Sequence, residues 1–177
     1  TKVNTAYEML LEYQKRLISA GGSTPATPTY ELISDVELVD TYDGVVLVGV
    51  SGYEEFSVEE YFSTLENCTV ELEENELGMF STGAKFVIKN NNGDVVEEYV
   101  ISVTGDVNGD GNCGDPLDFG EADLVANGMA DFATAAMELA GDVNGDEFVD
   151  PTDSTSLEVV ASGMADIDFV GRTVVFM

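Results

Sequence analysis

The chain contains no histidine and little positive charge. Its 177 residues include 6 lysine and arginine residues against 35 aspartate and glutamate residues, which gives a formal net charge of −29 at pH 7. Such a chain repels nucleic-acid phosphates and anionic membrane surfaces, and it has no apolar stretch long enough to span a bilayer. We therefore expect neither nucleic acid as a partner nor insertion into a membrane.

Cysteine is scarce, and positive charge is missing from a long segment. Cys68 and Cys113 allow one disulfide at most, and the sequence leaves open whether they pair. Lysine and arginine are absent between Lys89 and Arg172, so the carboxylates of this segment have no local cation. Bound divalent metal is one source of counter-charge, and a solvated acidic surface is the alternative.

The hydrophobic pattern separates an N-terminal segment from a strand-rich part. Residues 1–29 combine a predicted amphipathic helix at 5–20 with a linker rich in glycine, threonine and proline. Residues 30–104 have the alternation of strands, with a hairpin signal at residues 90–94. This part has no histidine, no nucleophile–base pair and no glycine-rich phosphate loop. We therefore expect no enzymatic activity from it.

The last third of the chain contains an internal duplication. GDVNGD occurs at residues 105–110 and again at 141–146, and GMAD occurs at 128–131 and again at 163–166. The offsets are 36 and 35 residues, so the first copy holds one additional residue. Each copy is a loop followed by a stretch of helical length. The predicted helices cover residues 119–127, 132–139 and 154–162.

Both loops carry oxygen-bearing side chains at alternate positions, which is the spacing with which a short loop surrounds Ca²⁺. In the second copy, Asp153 is twelfth from the loop start and would close the site. Glu147 stands where such loops usually have glycine, so we predict a positive φ there and a weaker affinity. The predicted ligands of this loop are Asp142, Asn144, Asp146, the backbone carbonyl of Phe148, and Asp153.

The additional residue shifts the closing position of the first loop. Leu117, twelfth from Asp106, cannot ligate a metal, and alignment on the GMAD repeats places Asp118 opposite the closing residue of the second loop. Asp115 is the alternative closing group, and Glu121 is a weaker one. Together the two loops predict two calcium ions. The predicted ligands of the first loop are Asp106, Asn108, Asp110, Asn112 and Asp118.

The duplicated GDVNGD motif, with a closing aspartate and one helix after each loop, resembles the dockerin domain. The strand that runs into the first motif also resembles the X-type modules that directly precede some dockerins. We therefore expect an α+β protein. An Ig-like, β-rich X-type module at residues 30–104 would be followed by an all-α, duplicated loop–helix dockerin at residues 105–167 and a strand-like tail at residues 168–177.

The resemblance implies a non-catalytic module that binds a cohesin domain in a calcium-dependent way. Cohesins belong to scaffoldins or cell-surface anchoring proteins of the extracellular complexes called cellulosomes, so an extracellular location, with attachment to the cell surface through the partner, is implied. Dockerins contact cohesins near the loop ends and along the following helices. The matching residues are Asp115, Pro116, Phe119 and Glu121 in the first copy, and Pro151, Thr152, Thr155 and Glu158 in the second.

Two alternatives are compatible with the same residues. In the first, the chain is the C-terminal fragment of a secreted glycan-degrading enzyme. In the second, it is a calcium-binding structural module with another partner.

The apolar tail at residues 168–177 leads to a separate expectation. We expect it to pack against the duplicated unit, or to pair with a strand of the β-rich part, and so to clamp the two parts together.

Overall fold

Strands dominate the fold. The computed structural model describes residues 26–51 and 58–177. In these ranges it has nine β-strands, three α-helices and a short 3-10 helix at Val58–Tyr61. The predicted helix at residues 5–20 lies outside the described residues. Within the described part, no helix has the length and apolar character needed to cross a membrane.

The first half of the described chain is built from strands. They are β1 (Thr29–Leu32), β2 (Glu37–Thr41), β3 (Gly44–Val48), β4 (Phe62–Glu66), β5 (Cys68–Glu73), β6 (Lys85–Asn90) and β7 (Val95–Ile101). Five of them form one sheet in the order β2-β3-β7-β6-β5, in which β3 and β7 are parallel and the other pairs are antiparallel. Strands β1 and β4 pair in a small antiparallel sheet of their own.

The hairpin predicted at residues 90–94 joins β6 and β7. The side-chain oxygen of Asn90 accepts hydrogen bonds from the amides of Asn92 and Asp94, at 2.9 and 3.0 Å. Gly93 has a φ of 86°, which glycine adopts without a steric penalty. The asparagine and the glycine therefore determine the turn through local interactions, and β6 and β7 pair on either side of it.

The second half contains three helices and a C-terminal hairpin. These elements are α1 (Pro116–Ala126), α2 (Ala135–Gly141), α3 (Pro151–Ala161), β8 (Ala165–Asp168) and β9 (Thr173–Phe176). The prediction of an all-α second half is therefore wrong. Strand β8 begins within residues 105–167, the segment assigned to the all-α unit, and pairs antiparallel with β9 of the tail. An apolar tail strand needs a partner for its backbone groups, and the residues just after α3 provide it.

Helices α1 and α3 pack against each other around a small apolar cluster. Val107 and Val143, which hold the same place in the two GDVNGD repeats, are both buried in it. Ala122 of α1 and Leu157 of α3 complete its buried part. We call this set the helix cluster. The duplication thus brings equivalent residues of the two copies into one core.

The two halves of the chain share buried surface on one face of the five-stranded sheet. Side chains alternate along a strand, so Val46 and Val48 point away from Leu47. They form a cluster with Ala136 of α2, which covers this face. The hydroxyl of Ser102 donates to the carbonyl of Ala136 at 2.8 Å. Helix α2 therefore belongs to the packing of both halves.

The C-terminal hairpin contacts two cores. Phe169, between its strands, is buried in the main cluster around Leu47 and Phe86 on the other face of the sheet. Val174 of β9 packs against the helix cluster, and its amide donates to the carbonyl of Val143 at 3.2 Å. The tail thus packs against the duplicated unit, which is the first of the two placements predicted for it.

Candidate metal centre

Each predicted metal loop ends at the start of a helix that its own aspartates cap. Asp115 precedes α1, accepts from the amides of Leu117 and Asp118, and is followed by proline at the first helical position. Asp150 precedes α3 in the same way. Proline is suited to this position because its φ is helical and no intrahelical bond needs its N–H. The helices therefore begin three residues earlier than predicted.

Asp118 and Asp153 occupy equivalent places in the two loops. One oxygen of Asp118 accepts from the amide of Val107 at 2.7 Å, and the other accepts from Asp115 at 3.0 Å. The carboxylate of Asp153 accepts from Val143 and from the cap residue Asp150, both at 3.0 Å. Both side chains are 0% exposed. The alignment that places Asp118 opposite Asp153 therefore has a structural counterpart.

The first residues of the two loops are also buried carboxylates, but they have different neighbours. Asp106 accepts from the amide of Gly111 at 3.2 Å and from the amide of Thr82, in the β-rich half, at 2.9 Å. Within the described residues, the carboxylate of Asp142 accepts only from its own loop, for instance from the amide of Glu147 at 3.0 Å. The first loop is thus tied to the β5–β6 connection through the side chain of Asp106, whereas the side-chain hydrogen bonds of Asp142 stay within the second loop.

The middle of each loop winds through successive side-chain turns. The Asn108 oxygen accepts from the amide of Asp110 at 2.8 Å, and Asn144 accepts from Asp146 at 2.9 Å. Asp110 and Asp146 accept in turn from the amides two residues further on, at 2.9 and 3.1 Å. Asparagine and aspartate favour such turns because their short side chains reach the backbone. The two copies therefore fold in the same local way.

Burial of these carboxylates is electrostatically unfavourable without a cation. It raises the pKa of Asp118 to about 7, amide donors oppose the shift, and the charge of Asp106 adds to it. Burial also raises the pKa of Asp106 and Asp153. The ion pairs in the described residues, Lys85–Glu98 and Lys89–Glu71, lie on strands of the first half. A divalent cation would supply the missing charge.

The donor set suits calcium in chemistry. It consists of carboxylate, amide and backbone carbonyl oxygens, the hard ligands that Ca²⁺ prefers, six to eight at a time. No three histidine, cysteine, aspartate or glutamate side chains come together as a metal-holding group in the described ranges. The three aspartates predicted as ligands in each loop are therefore not gathered into such a group, although the chemistry of the oxygen donors suits calcium.

Glu147 has the backbone conformation predicted for it. Its φ is 73°, in the left-handed region, and Gly111 at the corresponding place in the first loop has a φ of 86°. A residue with a Cβ pays about 1–2 kcal/mol in this region. The second loop therefore holds a strained residue where the first holds a relaxed one.

The residues predicted to contact a partner differ in accessibility. Pro116, Pro151, Thr152, Thr155 and Glu158 are exposed, whereas Asp115, Phe119 and Glu121 are half-buried. Phe119 packs against the helix cluster, and Asp115 caps α1. The first copy therefore uses part of its predicted contact set for its own structure.

Two exposed leucines on α1 were not predicted from the sequence as partner-contact residues. Leu117 is 64% exposed and Leu124 is 46% exposed. They are seven residues apart and so share one face of the helix. The aligned residues of α3 are Thr152 and Val159. An alignment of the two copies would have shown this difference, because both leucines are replaced at the aligned positions of the second copy.

Three residues of the β-rich half that touch the first loop also escaped it. They are Asn75, Ser81 and Thr82, which bond to Gly109 or Asp106. They lie more than twenty residues upstream, so no local pattern connects them with the loop.

The two cysteines, Cys68 and Cys113, are free thiols. Cys113 packs against the main cluster, and burial raises the pKa of its thiol.

Comparisons with protein families, curated proteins and solved structures find no match to this chain.

Proposed function

We propose that this chain is a non-catalytic, calcium-dependent interaction module of the dockerin type, preceded by a β-rich X-type module. The observation that carries the proposal is the equivalence of the two loop–helix copies. In both, a buried aspartate three residues into the helix bonds back to the loop start, at Val107 or Val143. Together with the repeated ligand spacing, this equivalence supports two similar calcium sites.

Calcium has a structural part in this proposal. When bound, the ion neutralises the grouped carboxylates and so fixes each loop against its helix. The helices α1 and α3 have 11 residues each, which is too short to be stable alone in water. The residues that would hold the ions are Asp106, Asn108, Asp110, Asn112 and Asp118 in the first loop, and Asp142, Asn144, Asp146, the Phe148 carbonyl and Asp153 in the second.

The partner surface in this proposal is formed mainly by α1. Leu117 and Leu124 present apolar area there, whereas α3 presents Thr152 and the partly buried Val159. Acidic residues border both helices, and the sequence offers no basic residue between Lys89 and Arg172. A complementary partner carries an apolar surface with a basic rim. A cohesin domain of a scaffoldin or a cell-surface anchoring protein is the proposed partner.

An extracellular location fits the proposed sites. Calcium modules outside cells work with dissociation constants of about 10⁻⁴ to 10⁻³ M, because extracellular calcium is abundant. A strained residue such as Glu147, with its φ of 73°, is tolerable at such a concentration. The proposed complex is an extracellular, cellulosome-like assembly, attached to the cell surface through the partner.

The test is capture of the whole chain by a panel of immobilised cohesins, in millimolar calcium and in excess chelator. We expect at least one cohesin to bind in calcium only. The double variant Asp118→Asn/Asp153→Asn should lose binding. The matched control Asp131→Asn/Asp166→Asn should keep it, because these exposed aspartates of the two GMAD repeats are neither predicted ligands nor predicted contacts. Binding that persists in chelator would contradict the proposal. Calcium uptake without capture by any cohesin would instead support a calcium-binding structural module with another partner.

A further inference from the structure

The repeated hexapeptide GDVNGD lies in two different environments. Gly109 and Gly145 are its fifth residues in the two copies, and both have a φ of 75°. An ideal Cβ at Gly109 would lie 2.8 Å from the carbonyl oxygen of Thr82, whereas nothing lies within 4 Å of a Cβ at Gly145. Gly109 is buried and Gly145 is exposed. The same residues in the same conformation are thus covered in one copy and open in the other.

The cover of the first loop is the segment that joins β5 to β6, residues 74–84, and above all its residues 75–82. The side-chain amide of Asn75 and the hydroxyl of Ser81 both donate to the carbonyl of Gly109 at 2.7 Å. The amide of Thr82 donates to the carboxylate of Asp106 at 2.9 Å. We call residues 75–82 the bracing segment, because it bonds both to the loop backbone and to a predicted calcium ligand.

Asn75 holds the bracing segment together as well as bonding to the loop. Its side-chain oxygen accepts from the amides of Leu77 and Met79, both at 3.0 Å, while its nitrogen also donates to the carbonyl of Thr82 at 2.8 Å. One asparagine side chain therefore shapes the segment and attaches it to the first loop. Its removal should loosen both contacts together.

We propose that the bracing segment is a component of the first calcium site, and that the second site has no such support. This inference rests on the proposed calcium function. The bracing segment holds Asp106 and the Gly109 backbone in place before the ion arrives, so less ordering is needed on binding. In the second loop the Val174 amide bonds to the Val143 carbonyl. Within the part of the chain that the structure describes, however, the Asp142 carboxylate accepts only from its own loop, which also carries the strained Glu147. The two sites therefore differ in affinity, and calcium in the first one stabilises the β-rich half.

Calcium binding is measured by isothermal titration in two backgrounds. Asp142→Ala/Asp146→Ala leaves only the first site, and Asp106→Ala/Asp110→Ala leaves only the second. We expect the first site to bind calcium about tenfold more tightly than the second, or better, as a difference in dissociation constant. Asn75→Ala should weaken the first site by about tenfold and leave the second unchanged. Asn90→Ala is the matched control, since it removes a similar turn-forming side chain in the β6–β7 hairpin.

The pair Gly109 and Gly145 provides a second test, in which the intrinsic backbone penalty of a substitution is the same at both positions. Gly109→Ala and Gly145→Ala carry the same intrinsic penalty because the two φ angles are equal. We expect Gly109→Ala to weaken the first site clearly more than Gly145→Ala weakens the second. Equal losses, or an Asn75→Ala variant with first-site affinity within about twofold of its parent, would overturn the inference and leave the proposed function standing.

Hydrogen exchange keeps the inference testable if a bracing variant does not fold, because it is measured on chains whose bracing segment is unmodified. In the background that retains only the first site, calcium should slow exchange of the Thr82 amide, which donates to Asp106. In a second background, Asp110→Ala/Asp118→Ala disables the first site but keeps Asp106, and there calcium should leave the Thr82 amide unchanged. Equal protection in both backgrounds would overturn the inference. If calcium binds in neither background, the proposed function itself is overturned.

Discussion

Asp115 and Asp118 exchange hydrogen bonds across the start of α1. The amide of Asp115 donates to the carboxylate of Asp118 at 3.0 Å, and the amide of Asp118 donates back to Asp115 at 3.2 Å. This is a capping box, in which each carboxylate satisfies a backbone donor of the first helical turn. Of the two, Asp118 also bonds to the loop start at Val107 and is fully buried. Asp118 is therefore the closing candidate, and Asp115 is the cap.

This division of roles predicts different effects of two similar substitutions. Asp118→Asn should lower the number of calcium ions bound from two to one, because an amide is a poor substitute for a closing carboxylate. Asp115→Asn should keep both ions and change stability by less than about 0.5 kcal/mol. Isothermal titration counts the ions. A loss of one ion in Asp115→Asn, with Asp118→Asn unaffected, would reverse the assignment.

Relief of the strain at Glu147 should strengthen the second loop. Its φ of 73° costs about 1–2 kcal/mol for a residue with a Cβ, and the greater freedom of glycine in the unfolded chain offsets part of the gain. Glu147→Gly should therefore stabilise the calcium-loaded protein by about 0.5–1 kcal/mol in urea unfolding. Glu147→Ala is the control, because it removes the charge and keeps the strain. An equal gain in both variants would point to charge as the cause.

The leucine face of α1 should dominate partner binding. Leu117→Thr with Leu124→Val gives α1 the side chains that α3 has at the aligned positions. A loss of about 1.4 kcal/mol or more, typical of central apolar contacts, corresponds to at least about tenfold in dissociation constant. The measurement uses the cohesin captured most strongly in the panel. The reverse variant, Thr152→Leu with Val159→Leu, should retain binding, and a larger loss there would assign the contact to α3.

Phe169 should be important for the stability of the whole described fold. It belongs to the C-terminal hairpin but is only 9% exposed, within the main cluster of the β-rich half. Phe169→Ala should lower the free energy of unfolding by about 3 kcal/mol, the usual loss for a buried phenylalanine. Phe176→Ala is the matched control at a 69% exposed site, where a change within about 0.5 kcal/mol is expected. Similar losses at both positions would contradict the role of Phe169.

Removal of residues 171–177 should lower the melting temperature. The deletion removes β9, which pairs with β8, and Val174, which packs against the helix cluster and bonds to Val143. The backbone groups of β8 would then lose their partner strand. Differential scanning calorimetry in calcium checks the result. An unchanged melting temperature would show that the hairpin does not clamp the two halves.

Local features were largely predictable because local residue types cause them. The turn between β6 and β7 follows from asparagine and glycine within residues 90–94, and the positive φ of Glu147 follows from its place in the loop. The helix starts at Pro116 and Pro151 had a local signal as well, an aspartate cap followed by proline. The all-α second half was mispredicted because β8 has only four residues and becomes a strand through its pairing with β9.

The sequence by itself determined the duplication, the order of the oxygen donors in each loop and the conformations of the loop backbones. These depend on the dihedral preferences and side-chain turns of neighbouring residues. The additional residue of the first copy and Glu147 of the second already distinguish the loops in the sequence, but only the tertiary structure gives the identical hexapeptides different surroundings. Gly109 and Gly145 share their neighbours and their φ, yet the bracing segment covers one and leaves the other open. That difference depends on how a distant part of the chain packs, and an identical hexapeptide contains no information about it.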